Sequence, residues 1–366
     1  MSSHRLFPDL EPHACGHLSV GGGHEVYWER VGHPSGRPLL WLHGGPGSGA
    51  SPRQRRFFDP ARWCVTLFDQ RGCGRSTVRP DLGGGEAGAS MDGQAHASRR
   101  VLHNRTPDLL ADIESLRRAA GVTRWVVAGG SWGATLALAY AARCPQAVQG
   151  LALRSPFLAS RGEVQDLLSA PPAGVHAVVQ AAWDRLAAAL AMGDDLGPRA
   201  ADRDLAQAHA VFRQGGEACR GLAVAWSVNE WARSATPATL QQALDQGFLT
   251  APVEWARRLG DADDLWRRAL VQTHYLVHGC FVDMSAVLAD LSGGFAGPVV
   301  LVRGALDALC PPGNADVIAQ ALRAGTARIW TVPGAGHDAL DDGMVAAWHD
   351  ALNALAHDLD LTEACA

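Results

Sequence analysis

Short apolar runs bounded by glycine and proline alternate along this chain with stretches in which apolar side chains recur every three or four residues. Residues 38–42 (PLLWL), 65–68 (VTLF), 126–128, 147–153, 297–302 and 327–332 are runs of the first kind. Continuous hydrophobicity of this length suits strands buried on both faces of a parallel sheet. Residues 16–32 differ: His17-Leu18-Ser19-Val20, three glycines and residues 24–31 alternate as a hairpin does, so an antiparallel edge is expected to open the sheet. Thr106-Pro107-Asp108 starts a helix that runs through Asp112, Ile113, Leu116 and Ala120 and that Gly121 closes. From residue 165 to 291, alanine, leucine and tryptophan fall at helical intervals, Trp183, Trp226, Trp231, Trp255 and Trp266 among them. Such aromatic spacing reads as core more than as binding surface. Residues 81–98, rich in Gly, Ala and Ser and without a period, read as a mobile surface loop. A last helix is expected over residues 344–357, with a frayed acidic tail after Asp358. The expected class is α/β: a mostly parallel sheet flanked by helices, its core formed by residues 1–156 and 292–366, with a helical cap inserted at 157–291.

Composition narrows the partners. At 366 residues and 47% hydrophobic, the chain can bury the core of one large α/β unit with an insertion. A net charge of −5 offers no basic stripe, which disfavours nucleic acid. No run approaches the eighteen apolar residues of a spanning helix, and residues 1–20 lack the apolar core of a secretory leader, so neither a membrane partner nor export is expected and the protein is read as cytoplasmic. The eight cysteines at 15, 64, 73, 144, 219, 280, 310 and 365 contain no Cys-x-x-Cys pair, which suits reduced, mostly buried thiols rather than a zinc or redox site.

The chemistry centres on Gly129-Gly130-Ser131-Trp132-Gly133, where an apolar strand turns directly into a helix. A serine hydroxyl is a weak nucleophile and must be held on a sharp turn, open to a base on one side and to substrate on the other. Trp132 offers its backbone N–H at the helix start, and Gly44 or Gly45, in the glycine-rich loop after the 38–42 strand, offers a second oxyanion donor. Asp307 follows one later strand and His337 the next, each just past a strand end. Ser…Asp…His in that order, on one rim of a parallel sheet, is the arrangement of an α/β-hydrolase. His337 would take the proton of Ser131, and Asp307 would fix the tautomer of His337. In the loop 69–76, Asp69 and Arg71 are expected to form a charge-assisted pair.

His43-Gly44-Gly45-Pro46-Gly47, Asp69-Gln70-Arg71-Gly72-Cys73-Gly74-Arg75-Ser76, Gly129-Gly130-Ser131-Trp132-Gly133, Asp307 with Cys310-Pro311, and Gly334-Ala335-Gly336-His337 together resemble the proline iminopeptidase family, from Gly16 to about Ala354. The resemblance implies a serine exopeptidase that needs no cofactor and releases an N-terminal residue, typically proline, from a small peptide or amide through an acyl-enzyme. It also implies carboxylates on the cap that pair the substrate amine. Ala225-Trp226-Ser227-Val228-Asn229-Glu230 resembles the segment carrying the first, which makes Glu230 the amine-binding candidate, although Asn229 stands where the family usually has Trp. Ala269-Leu270-Val271-Gln272-Thr273-His274-Tyr275 resembles the segment with the second, but Gln272 occupies that place. Losing one carboxylate leaves a second reading open, an esterase or amidase for a metabolite without a free amine; a third, a silent fold used for binding, is one that the intact Ser131, Asp307 and His337 argue against.

Overall fold

The computed structural model describes residues 6–79, 98–192, 198–323 and 325–364. Most of the glycine-rich segment read as a surface loop lies outside them. Nine strands form one sheet: β1 (Ala14–Gly21), β2 (His24–Gly32), β3 (Arg37–Leu42), β4 (Trp63–Phe68), β5 (Thr77–Val78), β6 (Trp125–Gly130), β7 (Val148–Arg154), β8 (Val299–Gly304) and β9 (Ala327–Val332). Their order is β1-β2-β4-β3-β6-β7-β8-β9, with β5 beside β2. β1, β2 and β5 pair antiparallel, whereas β4, β3 and β6 to β9 are parallel. Every residue of β4 and β6 is buried, as continuous apolar runs require. Two-residue β5 is too short to carry a period and was not expected.

One face of the sheet packs on the helices Thr106–Ala119 and Trp132–Arg143, with Ile113, Leu136, Leu138 and Leu151 in the contact. The other packs on the C-terminal helix Asp342–Ala364, where Trp41, Phe58 and Trp348 meet edge to face. That helix continues through the tail expected to fray. Arg37 holds Asp360 and Glu363, each at 2.7 Å, and Arg328 holds Asp358, so the acidic residues are tied to the strands instead of repelling one another in solvent. A helix over Gly313–Ala321, between β8 and β9, is a further addition to the sequence reading.

Over the carboxyl ends of the strands lie the helices Arg161–Leu167, Ala177–Ala189, Pro198–Gln214, Glu217–Ser234, Pro237–Asp245, Pro252–Ala256 and Ala262–Val277. Trp183, Trp226, Trp255 and Trp266 are buried among them, whereas Trp231 stands half-buried against Trp255, at 4.1 Å between ring centroids, and faces the cleft described below. The helix Met284–Gly294, grouped with the cap on its composition, packs against Trp132–Arg143 of the sheet domain. Among the described residues, no single helix is long and apolar enough to cross a membrane; only the pair Ala262–Val277 and Gly279–Gly294, bent by 82°, reaches that length together.

Candidate active site

Ser131 sits between β6 and the helix Trp132–Arg143 with φ 55° and ψ −123°, a conformation an L-residue adopts at a cost of about 1–3 kcal/mol. The flanking glycines make the turn possible. A Cβ on Gly133 would stand 2.0 Å from the Leu42 carbonyl oxygen, and one on Gly129 would stand 2.3 Å from that of Gly133. A larger residue at 133 would push the elbow off β3, and one at 129 would push β6 off the start of the helix.

His337 and Asp307 meet as the sequence predicts: His337 Nδ1 lies 2.8 Å from Asp307 Oδ2. The other carboxylate oxygen accepts from the amides of Leu309, at 3.0 Å, and Cys310, at 2.8 Å. Burial of Asp307 pushes its pKa up, but the His337 charge, the His337 hydrogen bond and the Cys310 amide outweigh it and hold the carboxyl below its ordinary value. The Ser131 hydroxyl is turned toward the buried Cys310 Sγ, 3.8 Å away, and His337 lines the same cleft. Hydrogen bonds between nucleophile and base commonly tighten only when substrate is bound. Burial raises the Cys310 thiol well above its usual pKa, so it stays protonated, a neighbour to Ser131 and not a rival nucleophile.

Gly44 and Gly45 come beside Ser131: a Cβ on Gly44 would lie 3.5 Å from that of Ser131, and Gly45 lines the pocket with it. Trp132 begins its helix, where amide N–H groups have no helical acceptor. A buried network ties these two segments together. His43 donates from Nδ1 to the Gly44 carbonyl at 2.9 Å and accepts at Nε2 from the Gln70 amide at 3.1 Å, a pairing that only the neutral ring satisfies. Burial lowers the pKa of His43 and keeps it neutral. Gln70 in turn accepts from Trp132 Nε1 at 2.9 Å, joining the glycine loop to the elbow. The pair expected between Asp69 and Arg71 does not form. Asp69 binds Arg75 at 2.8 Å and the Ala50 amide at 2.7 Å, whereas Arg71 reaches Asp112 on the neighbouring helix at 2.6 Å. Each anion took the cation that tertiary packing brought to it.

Beside Ser131 opens a pocket walled by Phe157, Val164, Leu167, Leu276, Leu309 and Cys310. Glu230 and Gln272, from two packed cap helices, enter it together. Glu230 accepts from Arg268 Nη2 at 2.7 Å and from Gln272 Nε2 at 2.8 Å, and Gln272 accepts from Trp226 Nε1 at 2.9 Å. Glu163, which sequence reasoning passed over, also lines the pocket. Its oxygens take the Leu158 and Ser160 amides, the Ser160 hydroxyl and Asn314 Nδ2. Ser160-x-x-Glu163 is a capping box and was legible as one; that it faces the pocket was not. A second, polar cleft adjoins the first and holds Ser48, Arg154, Ser227, Ser234, Arg268 and His337. Among the described residues, no group of three or more His, Cys, Asp or Glu side chains is arranged to hold a metal ion.

A model of the alpha/beta hydrolase fold matches residues 37–344. The proline iminopeptidase of Xylella fastidiosa (strain 9a5c) is 36% identical over 339 residues, which span 92% of this chain and 94% of that protein. That of Neisseria gonorrhoeae is 32% identical over 353 residues, spanning 95% and 99%. Among solved structures, a proline iminopeptidase-related protein from Thermus thermophilus aligns over 93% of this chain and 98% of its own, with a TM-score of 0.53 and 25% identity. Fold, elbow and near full-length similarity agree, and this chain belongs to the proline iminopeptidase family of α/β-hydrolases.

Proposed function

We propose that this hydrolase releases N-terminal proline, or a similarly small residue, from short peptides and amides through an acyl-enzyme on Ser131. His337 takes the Ser131 proton as Oγ attacks the scissile carbonyl, and Asp307 holds the ring and stabilises the imidazolium. The amides of Trp132 and of Gly44 or Gly45 receive the oxyanion, preorganised by the His43–Gln70–Trp132 network. His337 then passes the proton to the leaving amine, and water, activated by the same ring, cleaves the ester. The apolar pocket takes the pyrrolidine ring.

The observation that carries this reading is Glu230. A carboxylate that enters, beside Glu163 and Gln272, a pocket next to Ser131 with mostly apolar walls suits a protonated imino nitrogen, whose burial without a counter-charge would cost more than binding returns. Seven cysteines among the described residues are free thiols, which supports a reducing, cytoplasmic setting.

Initial rates on a prolyl aryl amide and on its N-acetyl counterpart test the proposal. The free imino form is expected to react at least ten-fold faster in kcat/KM. Preference for the blocked form, or turnover of simple esters alone, would keep the serine mechanism and replace the substrate class with an uncharged amide or ester.

A further inference from the structure

We propose that the polar cleft beyond Ser131 is a leaving-group subsite for a free carboxylate, with Arg154 as its anchor, so that the preferred substrates are dipeptides. This rests on the hydrolase reading above, in which the acyl group occupies the apolar pocket; the leaving group must then lie on the other side of Ser131, where the cleft opens.

Arg154 is the last residue of β7, and its carbonyl accepts from the Ser131 amide at 2.9 Å. Its guanidinium turns back over the elbow: a Cβ on Gly130 would meet Nη2 at 2.8 Å. Nη1 donates to the His337 carbonyl at 2.8 Å, while the buried Nε has no acceptor. Among the described residues no carboxylate lies within ion-pair distance of it. Asp307 and Asp338 act on its charge from farther away, and Asp307 spends its oxygens on His337, Leu309 and Cys310. Burial accordingly lowers the pKa of Arg154, but a guanidinium starts so high that it stays charged.

Arg268 adds a second cation to the cleft, also with a buried Nε that has no acceptor. Its Nη2 is committed to Glu230, the one acid among the described residues that line the cleft. Two guanidinium groups against one carboxylate leave one positive charge unmatched in a cleft that Ser48, Ser227 and Ser234 also line. An unpaired, half-buried cation beside a nucleophile is a costly arrangement unless a ligand completes it. Nη1 is taken by the His337 carbonyl and Nε is shut off from the cleft, so Nη2 is the charged donor that a carboxylate would meet. In a dipeptide the terminal carboxylate is separated from the scissile nitrogen by a single Cα, within about one 3.8 Å residue step of the bond being cut. Arg154 and Ser131 line the same cleft.

The test compares kcat/KM for a prolyl dipeptide with its C-terminal amide, in the wild type and in Arg154→Gln and Arg154→Lys. The wild type is expected to favour the free acid about ten- to hundred-fold, mainly through KM. Arg154→Gln should bring the acid-to-amide ratio close to one, and Arg154→Lys should restore part of it. A wild-type ratio near one overturns the proposal, as does a ratio that survives Arg154→Gln, which would leave Arg154 as a brace for the His337 loop. A pair of esters with one acyl group and either glycolate or glycolamide as leaving group, which keeps the carboxylate one carbon from the scissile oxygen, corrected for their rates with hydroxide, reads the same ratio in the wild type alone. Preference for the carboxylate-bearing ester supports the subsite even if prolyl amides are not turned over; equal rates overturn it even if they are.

Discussion

Gln272 donates from Nε2 to Glu230 Oε1 at 2.8 Å, and the orientation of its amide is fixed because its oxygen accepts from Trp226 Nε1, which can only donate. Position 272 therefore supplies a hydrogen bond to the pocket acid where a second acid was expected. Glu230 keeps one protein donor on each oxygen, and an ionised carboxylate has about four acceptor sites, so room remains for a protonated imino group. Gln272→Glu adds a negative charge at the same reach. KM for a free prolyl aryl amide should fall by about ten-fold, with no change for the N-acetyl form. Equal KM values for variant and wild type on the free substrate would place the imino nitrogen away from this pair.

The bond between His337 and Asp307 makes a second expectation. An asparagine at 307 can present its amide N–H to Nδ1 and hold the ring in the tautomer that cannot accept from Ser131. Asp307→Asn is expected to lower kcat by about 10⁴, and Ser131→Ala by at least as much, with urea midpoints near that of the wild type. Substantial turnover by either folded variant would remove that residue from the mechanism.

The parts of this molecule legible in the sequence are those that a local pattern encodes. Val126 to Gly133 shows a strand, a tight turn and a helix within a few residues, and Asp307 and His337 stand just past runs whose hydrophobicity marks them as strands. Arg154 also ends such a run, yet nothing local says that its side chain folds back over Gly130. Asp69 and Arg71 are near neighbours in sequence and still pair elsewhere, because Arg75 and Asp112 are delivered by a turn and by a helix 41 residues on. The cap was readable as helical, but Glu163, Glu230 and Gln272 come from three helices whose mutual packing no single period specifies. Asp358 to Glu363 looked frayed because the strand arginines that hold them lie far back in the chain.

Glycine contributes in opposite senses at two helical positions. Gly133→Ala puts a Cβ 2.0 Å from the Leu42 carbonyl oxygen, a backbone atom that cannot swing away, so β3 or the elbow must move. A loss of more than about 3 kcal/mol in unfolding free energy is expected, together with loss of activity. Gly221, exposed in the helix Glu217–Ser234, has nothing within 4 Å of a built Cβ. Gly221→Ala should stabilise by up to about 1 kcal/mol through helix propensity alone. Urea denaturation of both variants separates the two effects, and a stable, active Gly133→Ala protein would contradict the elbow packing.

Stability should also carry a carboxylate signature at low pH. Glu114 accepts from Arg117 Nε and Nη2, both at 2.8 Å, and from the Tyr140 hydroxyl at 2.6 Å. The Arg117 hydrogen bonds outweigh burial, and with Tyr140 they bring its pKa from 4.5 down to about 2. A carboxyl whose pKa is lower in the folded than in the unfolded chain stabilises the fold fully above the unfolded value, and that stabilisation disappears as pH falls from about 4.5 toward 2. The full shift corresponds to an upper bound of about 3 kcal/mol, reduced in practice by solvent reaching the partly exposed side chain. Glu114→Gln removes this dependence: the wild type should be the more stable protein at pH 6, and the difference should shrink steadily below pH 4.5. Unfolding free energies measured across that range check it, and a difference between the two proteins that stays constant with pH would mean that Glu114 contributes through packing instead of charge.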